Sequence, residues 1–329
     1  MPSTLSPHRL RAVVQNWLDR VVRAQVDELL VRLDSLGKEV AVLSAKLDGL
    51  RSEMSGDLAA LRGDLAQRQS EALEKLAELR GLAAADFDRI PELRAQLLVA
   101  RSTSAYRNAF EDSAPLVSIR IATYNRSQLL FERALPSALA QTYKNIEVVV
   151  VGDGCTDDTF ERLGQLRDPR LTFFNLPFQG VYPEQPRRRW MVAGAPAMNE
   201  AAQRARGEWI APLDDDDEFL PDHVERLLET ALGGRFEMVY GNLTVNPSPP
   251  GQSYDLRRYP PAFGHFGFQG AIYLSALRFF EYDLKAWLLD EVADWTMCRR
   301  MLEAGVRIGW VDRPVTFLYP RGPRFEPGS

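Results

Sequence analysis

Residues 209–224 read Trp-Ile-Ala-Pro-Leu-Asp-Asp-Asp-Asp-Glu-Phe-Leu-Pro-Asp-His-Val, and this is the most informative stretch of the sequence. A short apolar strand ends in four consecutive aspartates, and a helix is predicted to begin at Pro221. Like charges at this density repel one another, so the run favours a bound cation. Hard divalent cations such as Mg²⁺ and Mn²⁺ take carboxylate oxygens and keep coordination positions for a phosphate. The alternative is that the aspartates solvate a turn and favour the positive end of the next helix.

The composition is that of an ordinary globular protein, with 45% hydrophobic and 26% charged residues in 329, a length that suits about two domains. A net charge of −5 gives no basic face for nucleic acid, which is therefore disfavoured as a partner. Cys155 and Cys298 have neither metal-ligand nor disulfide spacing, as expected in a reducing cytoplasm. The sequence also has no bilayer-spanning apolar segment and no apolar signal region near its start. We therefore expect a cytoplasmic protein.

The N-terminal region has the pattern of a long helix, without proline between Pro7 and Pro91. Apolar residues recur at spacings of three and four, which predicts a left-handed coiled coil with one stutter after Met54. This apolar seam comprises Leu33, Leu36, Val40, Leu43, Leu47, Leu50, Met54, Leu58, Leu61 and Leu65. We expect residues 1–110 to be a helical coiled-coil oligomerisation region and linker that makes a homo-oligomer, with dimer to tetramer open.

Residues 8–23 form a separate amphipathic pattern, in which an apolar face containing Trp17 is flanked by arginines. A basic amphipathic helix of this kind suits peripheral association with a membrane surface. The same face equally suits packing on another helix.

From Leu116 onward, short β-branched runs alternate with helical patterns, which indicates an α/β sheet with mostly parallel strands. Strands are predicted at residues 117–122 and 146–151, with a helix at 127–140 between them. Ligands of such sheets bind beyond the carboxyl ends of the strands. Three polar clusters occupy those ends, at residues 123–126, 153–158 and 214–217.

Four segments in this order resemble the inverting glycosyltransferases of family 2: residues 117–126, 140–159, 205–217 and 294–302. The resemblance covers about residues 116–318. It implies an α/β fold of the GT-A type, a mixed sheet flanked by helices, preceded here by the coiled coil. The implied glycosyltransferase domain is 111–329, with a nucleotide-binding half at 116–225 and an acceptor half at 226–329.

The resemblance assigns nucleotide-sugar contacts to the first two clusters. Thr123, Tyr124 and Asn125 would line the nucleotide pocket, and Asp153 would accept a hydrogen bond from the base. A carboxylate that accepts an N–H group discriminates against bases without that donor. This favours a UDP-sugar, while dTDP presents the same base edge.

The aspartate run corresponds to the Asp-x-Asp motif of the family. By this resemblance Asp214 and Asp216 are its acidic ends and bind Mn²⁺ or Mg²⁺, and Asp215 contacts the ribose. The register of these assignments within residues 214–217 stays open by one position.

Asp294 matches the general base of the family. It lies near the start of a predicted helix that ends near Leu302, where the positive dipole end keeps a carboxylate ionised. The implied reaction is an in-line displacement in which Asp294 takes the proton of the acceptor hydroxyl and the anomeric configuration inverts. A structural alternative is that Asp294 is the helix N-cap.

Several positions depart from the family pattern. Ala293 replaces the glutamate that often precedes the base, Gly152 replaces the first of an acidic pair, and Met198 replaces an arginine. Arg187, Arg188 and Arg189 offer a substitute phosphate contact from a loop, with a solvated basic loop as the alternative. The region after Val315 lacks the late histidine that many relatives use as a metal ligand.

The sequence therefore predicts a metal-dependent inverting glycosyltransferase of polysaccharide biosynthesis. Its donor would be a UDP-sugar, and its acceptor would be a hydroxyl of a glycan or a lipid-linked sugar at the inner face of the membrane. One alternative is a nucleotidyltransferase, which the lack of a glycine-rich loop after the first strand disfavours. The other is a non-catalytic coiled-coil scaffold that carries a degenerate nucleotide-binding module.

Overall fold

A computed structural model describes residues 7–245 and 258–319, except the side chains of residues 7–25, 79, 82, 83 and 85. The chain divides into two compact units, Met1–Ala77 and Glu78–Ser329. The amphipathic face of residues 8–23 therefore lies outside the described side chains, although the backbone there is helical.

The first unit consists of one helix in its described part. Helix α1 runs over Pro7–Asp88, which confirms the predicted N-terminal helix. The seam residues from Leu33 to Leu65 are each 50–67% exposed. Ion pairs spaced four residues apart, such as Glu28 with Arg32 and Asp34 with Lys38, support the helix on its surface.

The second unit contains the other helices and all strands of the described residues. Its helices are α2 (Ile90–Ser102), α3 (Ser104–Glu111), α4 (Ser127–Leu129), α5 (Leu135–Leu139), α6 (Thr159–Gln165), α7 (Pro186–Val192), α8 (Ala195–Arg204), α9 (His223–Gly234) and α10 (Ala293–Ala304). A π-helical turn, Leu130–Ala134, joins α4 to α5. Short 3₁₀ turns cover Phe268–Gly270, Ser275–Leu277 and Ala286–Leu289.

The strands are β1 (Val117–Thr123), β2 (Ile146–Gly152), β3 (Leu171–Asn175), β4 (Trp209–Asp214), β5 (Glu218–Phe219), β6 (Met238–Val245), β7 (Ala271–Leu274) and β8 (Ile308–Leu318). They form one mixed sheet in the order β3-β2-β1-β4-β7-β6-β8-β5. Strands β3, β2, β1 and β4 are parallel, and β7 is antiparallel to both of its neighbours. Every residue of β1 and β2 is buried, since helices cover both faces of the parallel part. The mixed sheet predicted from the sequence is confirmed.

Residues 90–111 belong to the second unit, although the N-terminal region predicted from the sequence extends to residue 110. Leu97 of α2 is 1% exposed, and Phe110 of α3 packs edge-on against Trp209 of β4 with ring centroids 5.6 Å apart. The Trp209 indole N–H donates to the Ala109 carbonyl over 3.2 Å. The difference arises because these contacts join residues about a hundred positions apart, which helical periodicity does not report.

Hydrogen bonds to Glu237 connect α2 and α3 to the sheet. Its carboxylate is fully buried and accepts two hydrogen bonds from the Arg101 guanidinium, over 2.6 and 2.7 Å. It also accepts from the Tyr106 hydroxyl over 2.6 Å and from the Arg307 backbone N–H over 2.7 Å. Burial alone would raise the pKa of Glu237, but these hydrogen bonds outweigh burial and hold the pKa below 4.5.

We predict that Glu237→Gln lowers the free energy of unfolding of the second unit by about 3 kcal/mol at pH 7, because the partly buried Arg101 loses its charged partner. A group with a lowered folded pKa stabilises the fold above its unfolded pKa and loses this effect as the pH falls. The difference between wild type and variant should therefore shrink below pH 4.5. Urea unfolding from pH 7 to pH 3 measures this, with the exposed Glu229→Gln as control. A difference that does not change with pH would contradict the assignment.

Candidate active site

The three polar clusters predicted from the sequence meet at one edge of the sheet. Strand β1 pairs in parallel with β2 and β4, and the register places Thr123 opposite Gly152 and Ala122 opposite Asp214. The loops that follow these strands therefore begin at the same level. Asp153 comes directly after β2, and its backbone N–H donates to the Thr123 carbonyl over 2.8 Å.

The aspartate run turns inward after β4. Asp214 is partly exposed, whereas Asp215, Asp216 and Asp217 are 6%, 2% and 3% exposed. The Thr123 hydroxyl donates to Asp215 Oδ2 over 2.8 Å. Hydroxyl and cation donors must compensate such buried carboxylates, since an ionised group without a partner is strongly disfavoured in the interior.

Arg126 supplies positive charge to this run. Its Nη1 donates to Asp215 Oδ1 over 3.3 Å and to Asp216 Oδ2 over 3.0 Å. Its side chain is 42% exposed and reaches the run from the loop after β1. One guanidinium thus contacts two neighbouring carboxylates and reduces their mutual repulsion.

The end of β8 completes the enclosure of the run. The Tyr319 backbone N–H donates to Asp217 Oδ1 over 3.1 Å. Arg133 Nη1 donates to the Asp216 carbonyl over 3.2 Å, and its guanidinium lies 3.9 Å from the centroid of the Tyr319 ring. Tyr319 thus occupies the region where a late histidine was sought in the sequence. Pro320 and Arg321 lie outside the described residues.

The donor set of the run fits a divalent cation that a phosphate completes. Mg²⁺ and Mn²⁺ prefer oxygen ligands, and Mg²⁺ commonly uses one or two carboxylates with substrate phosphates for the remaining positions. Among residues 7–245 and 258–319, no group of three or more His, Cys, Asp or Glu side chains is arranged to hold a metal alone. Asp214 and Asp216 offer carboxylate oxygens of this kind.

Asp153 is enclosed by the segment that follows β3. Its side chain is 2% exposed, Oδ1 accepts from the Gly180 backbone N–H over 3.0 Å, and Oδ2 accepts from the Tyr182 hydroxyl. Burial raises the pKa of Tyr182, and the Asp153 carboxylate raises it further, so the hydroxyl stays protonated as the donor. Tyr182 was not identified from the sequence, since a lone tyrosine in a long loop carries no motif.

Asn125 joins the loops after β1 and β2. Its Oδ1 accepts from the backbone N–H groups of Thr156 and Asp157, over 2.8 and 3.2 Å. Its φ of 49° lies in the left-handed region, which asparagine tolerates better than most residues. The neighbouring Tyr124 is 39% exposed at this edge of the sheet. Asn125 thus has a structural role in shaping this edge.

Asp294 lies in the first turn of α10 and is partly exposed. Its Oδ2 accepts from the Phe268 backbone N–H over 3.3 Å. Val292 occupies the N-cap position, so the capping interpretation of Asp294 does not hold. The carboxylate lies at the positive end of the helix dipole, which favours its ionised form.

Arg120 is a buried cation close to this edge of the sheet, and it was not identified from the sequence. It lies in the middle of β1, is 1% exposed, and its Nη2 donates to the Tyr282 hydroxyl. Burial lowers the pKa of Arg120, but the fields of Tyr282, Tyr273, Asp214 and Asp294 outweigh burial and raise the pKa. The available signal was an arginine inside an otherwise apolar strand.

The departures from the family pattern have local explanations. A side chain at Gly152 would meet Asn175 Oδ1 at 2.4 Å, so the Asn175 amide occupies the space of the missing acidic residue. Met198 packs partly buried against the core. The proposed basic loop is the short helix α7, where Arg187 pairs with Asp290 over 3.3 Å and Arg188 lies 5.0 Å from the Trp287 ring centroid.

This fold, with carboxylates gathered at the carboxyl ends of parallel strands and a further carboxylate at the start of a helix beyond them, defines a glycosyltransferase of the GT-A type. The chain matches the family described as Glycosyl transferase family 2 over residues 118–302, more than half of its length. It therefore belongs to this family of enzymes.

Curated relatives match part of this chain. The chondroitin synthase of Pasteurella multocida (strain Pm70) is 28% identical over 228 residues, which is 66% of this chain and 21% of the relative. The UDP-Glc:alpha-D-GlcNAc-diphosphoundecaprenol beta-1,3-glucosyltransferase WfaP of Escherichia coli is 36% identical over 130 residues, 40% of this chain and 47% of the relative. The chain thus spans a fifth to a half of the length of these relatives.

The crystal structure of S. aureus TarS 1–349 in complex with UDP resembles this chain with a TM-score of 0.50 and 17% identity. The match covers 62% of this chain and 60% of that chain. It supports the GT-A fold.

We predict that Arg126→Ala lowers the free energy of unfolding by about 1 kcal/mol in the absence of metal. The effect is small because the Arg126 side chain is partly exposed. Added Mn²⁺ should then raise the melting temperature of the variant more than that of wild type, since the cation replaces the lost charge. Thermal scans with Mn²⁺ or EDTA measure this, with Arg204→Ala on α8 as control. Equal Mn²⁺ shifts in wild type and variant would argue against a cation at the run.

Proposed function

We propose that the protein is a metal-dependent inverting glycosyltransferase that moves a sugar from a UDP-sugar to a hydroxyl of a glycan or lipid-linked acceptor. The observation that carries this proposal is that Asp153 and the buried aspartate run follow two strands that both pair with β1, whose buried Arg120 interacts electrostatically with Asp214 and Asp294. Family membership supplies the reaction class, and these residues supply its chemistry.

The donor proposal depends on Asp153 and its surroundings. A buried carboxylate at the end of β2 is suited to accept the N–H of a uracil ring. Its two present donors, the Gly180 N–H and the Tyr182 hydroxyl, fix its orientation, and each carboxylate oxygen retains a second lone pair. Thr123, Tyr124 and Asp215 would contact the nucleoside. The name of WfaP, a UDP-glucose-dependent relative, agrees with a uridine donor.

Asp294 is proposed as the general base. A sugar hydroxyl is a weak nucleophile until its proton is removed, and a positioned carboxylate can remove it as the hydroxyl attacks the anomeric carbon. The Phe268 N–H holds Oδ2, while the helix dipole and the buried charge of Arg120 stabilise the ionised form. The bond to the diphosphate breaks on the opposite face of the sugar, so the configuration inverts.

Asp214 and Asp216 would hold the divalent cation, which when bound stabilises negative charge on the leaving diphosphate. Arg126 and the cation would share the Asp216 carboxylate, because the Arg126 guanidinium already contacts it.

The N-terminal unit is proposed to oligomerise through the apolar seam of α1. Seam side chains that are at least half exposed in one chain would be covered by a partner, which supplies the burial that a long helix requires. No helix of the described residues is long and apolar enough to cross a membrane. Peripheral association of residues 8–23 with the inner face of a membrane, in the cytoplasm, accompanies the proposal of a lipid-linked acceptor.

Incubation of the full chain with a panel of nucleotide-sugars and an acceptor mixture, with Mn²⁺ or EDTA, tests this function directly through release of nucleoside diphosphate. Metal-dependent release from a UDP-sugar supports the proposal. Release from another nucleotide-sugar alone, or release that EDTA leaves unchanged, would refute the donor or the metal assignment.

We predict that Asp294→Asn reduces the turnover number about 10²- to 10⁴-fold, the usual contribution of a general base. Nucleotide affinity should change less than threefold or so, because the amide oxygen can still accept from Phe268 and the base acts only on the acceptor. Steady-state kinetics and calorimetry measure the two quantities, with Asp290→Asn nearby as control. A loss of nucleotide binding that accounts for the lost activity would contradict the role of Asp294.

A further inference from the structure

The charged residues beside the seam of α1 alternate in sign along the helix. With Leu33 and Val40 at heptad position a and Leu36 at d, position g is occupied in turn by Arg32, Glu39, Lys46 and Glu53. All four are exposed, as is the apolar seam beside them. Charges at e and g set the choice and the direction of the partner in coiled coils.

A parallel pair would leave these charges without complement. In that arrangement position g of one helix faces position e of the next heptad in its partner. Glu39 would face the partner's Ser44, and Lys46 would face the partner's Arg51, a repulsive contact. No attractive g-to-e pair forms between Arg32 and Arg51.

In an antiparallel pair, each of these four charged residues faces a residue of opposite charge in the partner. When Val40 is layered against the partner's Leu43, the g positions of the two helices face each other, so that Glu39 meets the partner's Lys46. Twofold symmetry repeats this contact, because the residue that contacts its counterpart is contacted by it in return. In the same register Arg32 meets the partner's Glu53, in competition with its own Glu28. The core layers then join Leu33 with the partner's Leu50.

We infer that α1 pairs with the α1 helix of a second copy of this chain as an antiparallel two-stranded coiled coil centred between Val40 and Leu43. This inference rests on the proposed oligomerisation through α1 and adds its direction, register and number of strands. It does not depend on the sugar donor or on the catalytic residues.

Charge reversal in the full chain tests the pairing. Glu39→Lys and Lys46→Glu should each weaken the dimer on the order of tenfold, since each makes two symmetric contacts repulsive. The double variant should recover to within about threefold, because the pair is restored with its signs exchanged. Sedimentation equilibrium measures the constants, with the outward-facing Asp48→Lys as control. A double variant weaker than both single variants would overturn the register.

Cysteine cross-linking tests the direction. In the antiparallel pair, Leu50 lies about 25 Å along the axis from the partner's Leu50, too far for a disulfide. Leu50→Cys alone should therefore stay uncross-linked under oxidation, whereas the chain with both Leu33→Cys and Leu50→Cys should form a covalent dimer. The unsubstituted chain is the control for cross-linking through Cys155 or Cys298. A covalent dimer from Leu50→Cys alone would establish a parallel pair and overturn the inference.

Light scattering of the unsubstituted chain separates this inference from its premise. A dimer mass that is lost when the chain begins at Glu78 supports the inference, since α1 before that residue then carries the association. A monomer mass at every concentration refutes the proposed oligomerisation itself. A tetramer mass overturns the two-stranded arrangement, whatever the cross-linking shows.

Discussion

Repulsion among adjacent carboxylates at the end of β4 is the constraint on which the candidate active site of the second unit depends. Three of the four aspartates are buried, so their charges must be met by donors from other parts of the chain. Thr123 and Arg126 come from the end of β1, and Tyr319 comes from the end of β8. The parallel register brings these groups to one edge of the sheet. This is the edge at which we propose that a cation and a diphosphate bind.

The parts of the fold with local signals were predictable. Continuous β-branched runs predicted β1 and β2, and the ordered motifs predicted the GT-A fold and the family, all of which are confirmed. The packing of α2 and α3 on the sheet was not predictable. It depends on Glu237, whose partners Arg101 and Tyr106 lie more than 130 residues away and show no periodic pattern.

The candidate site was likewise only partly predictable from the sequence. Motifs indicated Asp153 and Asp294, while the groups that hold them came only from the structure. The Tyr182 hydroxyl reaches Asp153 across a loop, and the N–H that meets Asp294 belongs to the backbone of Phe268, where side-chain identity carries no signal. Arg120 had a visible signal, a charge in a mostly apolar strand, but its electrostatic interaction with Asp214 and Asp294 depends on the sheet register and could not be predicted.

We propose that the aspartate run and Asp153 bind a nucleoside diphosphate together with a divalent cation. Calorimetric titration of UDP into the full chain, in Mn²⁺ and in EDTA, tests it most directly. We expect one site per chain in Mn²⁺ and an affinity about tenfold weaker or more in EDTA, because the ion would contact both the carboxylates and the diphosphate. Equal affinity in both buffers, or no binding in Mn²⁺, would contradict this proposal.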